Sequence, residues 1–143
     1  MAKLLMAFLA CFVSSAALAD YSGNWRGAGR AQTQEWQSRC DSMGFQITHE
    51  NNRFSIISGR VQCGGNEMNW DPISARIIGK SLYYGIIRVG TYDENGVHID
   101  AVDPRDGIRY IVDVVRNGRH LVYRESRWRR GAQQLAMEGV LYK

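Results

Sequence analysis

From Asp20 onward, apolar and polar residues alternate in strand-length runs, and no segment carries a helical period. The runs cover residues 22–33, 44–50, 53–63, 73–78, 81–92, 97–102, 108–116, 119–129 and 133–142. Asn51-Asn52, Gly79-Lys80, Asn95-Gly96 and Asn117-Gly118 supply short turns between them, and Asp103-Pro104-Arg105-Asp106-Gly107 a longer one. Opposed residues in a hairpin point to the same face, so each turn can be tested by the polarity of the pairs it creates. Asn51-Asn52 groups Phe45, Ile47, Phe54 and Ile56, while Gly79-Lys80 groups Ile73, Ala75 and Ile77 with Leu82, Tyr84 and Ile86. Asn95-Gly96 extends this face to Tyr92, Ile99 and Ala101, and Asn117-Gly118 joins Tyr110, Val112 and Val114 to Leu121 and Tyr123. For the last hairpin, an Arg130-Gly131-Ala132 loop sets Glu125 against Met137 and Arg124 against Glu138.

One apolar face runs through every hairpin, while Arg76, His98, Asp100, Asp113, Arg124 and Glu138 occupy the other. This pattern predicts an all-β, antiparallel up-and-down meander closing into a small barrel of about eight to ten strands. A sandwich shares the same strand signals, and the outward charges oppose a membrane barrel. Nine runs would bring the first and last together in parallel. The miscounted strand is expected around residues 31–43.

Two cysteines sharpen the register. A two-residue Asn51-Asn52 loop opposes positions whose numbers add to 103, which places Cys40 directly opposite Cys63. A cross-strand disulfide follows from turn chemistry alone. Residues 1–19 read as a secretory signal, with Lys3, an apolar stretch from Leu4 to Val13, and Ala17-Leu18-Ala19 before Asp20. Cleavage there leaves residues 20–143 as one domain, with no transmembrane segment, in the periplasm or outside the cell. Cys11, inside the leader, is an alternative lipoprotein attachment site. The formal net charge of the full sequence is +4, and its arginines are spread along the chain, which argues against a nucleic-acid partner.

Gly23-x-Trp25, opening the first strand, resembles the calycins, the group of lipocalins, avidins and fatty-acid-binding proteins. The resemblance implies a barrel whose base is closed by Trp25, with an arginine across its indole. Arg127, read as inward at the same end, is the candidate for that role. It also implies a small apolar ligand inside the barrel.

The two longest connections, residues 34–43 and 64–72, fall at one end and carry Trp36, Met43, Met68 and Trp70. These side chains either guard a mouth or fold inward and plug it. Tyr84, Ile86, Arg88, Tyr92, Tyr110, Val112 and Tyr123 form the candidate ligand wall, with Arg88 facing Asp103. Glu125 and Arg127 form a second inward pair. The three histidines share no ligand-like spacing, so no metal or other cofactor is expected. No nucleophile elbow, zincin helix or phosphate loop occurs, and no enzymatic activity is expected. Two functions fit: an exported barrel holding a small hydrophobic or amphipathic ligand in its interior, or a filled barrel acting on an envelope protein through its disulfide-tied loops.

Overall fold

The computed structural model describes residues 20–143; the expected leader, the expected cleavage site and Cys11 lie outside the described residues. Eleven strands make one antiparallel sheet: β1 (Gly23–Gln32), β2 (Gln37–Glu50), β3 (Arg53–Cys63), β4 (Asn66–Trp70), β5 (Ile73–Ile78), β6 (Ser81–Tyr84), β7 (Ile87–Tyr92), β8 (Gly96–Val102), β9 (Arg109–Asn117), β10 (His120–Arg129) and β11 (Ala132–Tyr142). Sequential strands pair except β4 and β5, β1 pairs with both β2 and β11, and the β2–β3 pairing closes the ring. β5 pairs with the first half of β3 and β4 with the second, so the ring is ten strands round. An even number lets β11 return antiparallel to β1.

The missing strand comes from residues 81–92 rather than 31–43. Gly85, at φ 61°, begins a two-residue turn that breaks this run into β6 and β7, with Tyr84 opposite Ile87. A bulge after Leu82 then restores the alternation, so Leu82 and Tyr92 still face inward. Residues 37–43, read as a connection, extend β2, and residues 66–70 form β4.

Elsewhere the turns act largely as the polarity test demands. Gly79-Lys80 pairs Ile77 with Leu82 as expected. The Asn95-Gly96 and Asn117-Gly118 hairpins each slip by two residues, pairing Tyr92 with Val97 and Tyr123 with Val114. A slip of two preserves every face. In the last hairpin the turn itself is Arg130-Gly131, both at positive φ, followed by a bulge that restores the Glu125–Met137 register.

Cys40 and Cys63 are opposed and bonded. Two bulges intervene in the β2–β3 ladder, skipping Ile57 on β3 and Asp41 on β2. Each shifts the register by one residue in the opposite sense, so they cancel at the bridge. Gly27 and Gly90 mark places where strands approach closely: a Cβ on either would lie 1.9 Å from a carbonyl oxygen, that of Val140 or His98.

The inner face is filled. Trp25, Phe45, Ile47, Phe54, Ile56, Leu82, Val114, Leu121, Tyr123 and Leu141 are almost wholly excluded from water, each stabilising the fold by about 1.5–3 kcal/mol. Two concavities, of about 430 and 570 Å³, are lined largely by outward-pointing residues such as Arg30 and Glu138, or Arg26 and Arg60. Strand directions define a base, where the Asn51-Asn52 and Gly79-Lys80 turns gather, and a mouth carrying the Cys40–Cys63 bridge and the Arg130-Gly131 turn.

Candidate functional site

The mouth half holds a polar cluster built around Glu125. Its place on β10 opposite Val112 and Met137 turns it into the apolar interior, and its side chain is 1% exposed. A buried carboxylate must be hydrogen-bonded, and three donors converge on this one. Trp70 donates its indole N–H to Oε2 at 2.6 Å, Tyr123 donates its hydroxyl to the same oxygen, and Arg127 donates Nε–H to Oε1 at 2.6 Å. Burial, reinforced by the Glu125 charge, pushes the Tyr123 phenol well above its ordinary pKa, so this donor keeps its proton.

Aromatic rings fix the cluster. Phe45 stacks on Tyr123 at 4.3 Å between centroids and meets Trp70 edge-on at 5.6 Å. The Arg127 guanidinium lies 5.2 Å from the Trp70 ring centre and 5.4 Å from that of Tyr110. Such contacts contribute about 0.5–2 kcal/mol apiece, depending on how far the cation is desolvated. Arg127 retains 26% of its side-chain exposure, and among the described residues its two terminal nitrogens have no hydrogen-bond partner.

The wall is incomplete beside this cluster. β7 pairs with β8 only from Gly90 to Tyr92, and β5 reaches β6 only as far as Tyr83. Beyond those points the β6–β7 hairpin stands apart, leaving Asp100–Val102 of β8 paired on the β9 side alone. The ring is therefore continuous at the base and open along one side toward the mouth.

Several expected positions change. Tyr84, Ile86 and Arg88 are not wall residues: Tyr84 is 66% and Ile86 94% exposed, because the Gly85 turn carries them out on the free hairpin. Arg88 donates to Ser81 rather than pairing with Asp103, which binds Arg105 instead. Tyr92 is inward but lies at the base, against Tyr21 and His49. Val112 is core. Of the proposed wall, Tyr110 and Tyr123 join the cluster through their side chains, and Val112 opposes Glu125 in the ladder. Trp36, Met68 and Trp70 are partly buried and pack against the core, and Met43 is buried. Arg127 does not cover Trp25. The two lie at opposite ends, and the cation over the Trp25 ring is Lys143, at 5.2 Å.

The link from Trp70 to Glu125 spans 55 positions and left no local signal. Glu125 itself did, as an acid at an inward position that needed partners. At the base, Tyr21 is buried, accepting the Trp25 indole N–H at its carbonyl and donating its hydroxyl to the Asp93 backbone carbonyl. The Tyr92 hydroxyl there is buried without a hydrogen-bond partner among the described residues. Tyr92→Phe is accordingly expected to raise stability by about 1 kcal/mol in urea unfolding; an equal loss would reveal a partner for that hydroxyl.

No known protein family matches the sequence, nor does any curated protein. Among the described residues no group of three His, Cys, Asp or Glu side chains could hold a metal ion, and no helix is long and apolar enough to cross a membrane. Fold and site define a small antiparallel barrel-like protein, disulfide-bonded and packed inside, with one charged aromatic cluster beside an opening in its wall.

Proposed function

We propose that this is an exported, calycin-like binding protein that takes a small amphipathic ligand at its mouth, with Arg127 holding the ligand's anionic group. The disulfide fits an oxidising compartment. One observation carries the reading: a guanidinium placed beside two aromatic rings, its Nε committed to Glu125 and its terminal nitrogens unpaired. Those nitrogens suit the two oxygens of a carboxylate, and the rings offer flat apolar surface to the atoms beside it. Glu125 neutralises the cation and orients it, so a single well-placed donor pair sets the preference for an acid.

The packed interior moves the expected ligand from the barrel centre to the open side. It also favours the second reading, a filled barrel that binds an envelope protein. Titration with dodecanoate and with dodecanol, followed by tryptophan fluorescence, separates the two. Dodecanoate is expected to bind and dodecanol to bind more weakly, with Arg127→Gln weakening the acid about tenfold and leaving the alcohol unchanged. Equal binding of acid and alcohol, or indifference to Arg127→Gln, would remove the anchoring role.

A further inference from the structure

The outer surface of β3, β5, β6 and β7 carries a row of residues that the ladder places side by side. Arg53 opposes Arg76, Arg76 opposes Tyr83, and Tyr83 opposes Arg88, a line of roughly 14 Å at ordinary strand spacing. All three arginines are exposed, and none has a carboxylate within 4.0 Å among the described residues. Glu50 opposes Arg53 across its turn without forming an ion pair. Among the other outward arginines, Arg30 and Arg124 share Glu138, Arg60 binds Glu67 and Arg109 binds Asp100, while Arg26, Arg119, Arg129 and Arg130 stand singly or in pairs elsewhere with no carboxylate within 4.0 Å among the described residues. Serines hold two of the three in place, with Arg53 donating to Ser74 and Arg88 to Ser81.

One rung beyond this row the hairpin ends in Tyr84, Gly85, Ile86 and Ile87. Ile86 is 94% exposed and Ile87 65%. Among the described residues the tip has no strand partner on either side and no neighbour covers it. Ile78, half exposed, lies on the outer face at the other side of the row, beside the Gly79-Lys80 turn.

We propose that this face docks on an anionic lipid bilayer, with the Ile86-Ile87 tip in the apolar boundary and Arg53, Arg76 and Arg88 at the headgroups. Charge complementarity selects the partner. A surface combining fixed cations with a protruding apolar tip matches a phase that is anionic at one depth and apolar a few ångströms deeper. Tyr83 shares the rung of Arg88 and Tyr84 that of Ile87, so amphipathic rings stand at both levels of the boundary. Nucleic acid would meet the arginines and leave the isoleucines in water.

Residues 20–143, which contain the whole ring, are to be sedimented with vesicles of phosphatidylcholine alone and with about one third phosphatidylglycerol. Binding is expected with the anionic vesicles alone and should weaken as salt is raised. Replacing each of the three arginines by Gln should lower affinity about fivefold per residue. Ile86→Ser with Ile87→Ser should lower it more than tenfold. These sites are exposed, so an unchanged melting temperature verifies that the fold is kept. Equal binding to neutral vesicles, no binding to either, or indifference to the hairpin substitutions would overturn the proposal. So would self-association abolished by the isoleucine changes, which would assign the tip to a second copy of the chain. Arg127→Gln is expected to leave vesicle binding unchanged, so this test stands apart from the one for ligand capture.

Discussion

Glu125→Ala is expected to lower stability by about 3 kcal/mol, the largest effect of any single polar substitution in this chain. Removing the carboxylate strands the Trp70 indole N–H and the fully buried Tyr123 hydroxyl and leaves a void beside Phe45. Arg127 loses its counterion too, yet as a quarter-exposed side chain it can turn toward water, which keeps the loss at the lower end of the range for a broken buried pair. Glu125→Gln retains an acceptor for one donor and should recover part of the loss. Urea denaturation measures both differences, and the fluorescence of Trp70 should change in the alanine variant before unfolding begins. A loss below about 1 kcal/mol would mean that the three donors find other partners.

Replacing both Cys40 and Cys63 by Ser is expected to cost about 3 kcal/mol while preserving the fold. The two positions are 23 apart, and closing a segment of that length removes chain entropy from the unfolded state. The ladder from Ser42–Gln62 to Glu50–Arg53 survives without the bridge, so β2 and β3 remain paired at the base. The urea midpoint should fall, and amide exchange should accelerate selectively at residues 37–43 and 59–70. Complete unfolding of the double variant would show that the bridge, rather than the ladder, holds these strands together.

The disulfide is the clearest case of a tertiary feature readable from sequence. It survives two bulges that no residue pattern announced, because Ile57 and Asp41 shift the ladder by equal and opposite steps. The same tolerance kept the core legible through the hairpins that slipped by two residues, since alternation depends only on parity. Where the interruption fell inside a run, the reading failed. Gly85 reads as one more strand residue, and treating it so placed Tyr84, Ile86 and Arg88 inside the ring when they stand outside it. The candidate site was legible as separate pieces. Alternation places Glu125, Arg127, Tyr110 and Tyr123 inward, but the same pattern puts Trp70 in a mouth loop and Arg127 at the end of Trp25, where the structure has neither.

Alternation and turn chemistry, which act between residues close along the chain, determined the all-β class, the hairpin order and the opposition of the two cysteines. Closure of the ring through β2 and β3 decided what lies across the interior, and with it the meeting of Trp70 and Glu125. The free β6–β7 tip was likewise a tertiary outcome, since a hairpin can leave its neighbours without altering its own sequence signals. Contacts across a barrel join residues with no fixed spacing, and only the folded backbone brings them within hydrogen-bonding distance.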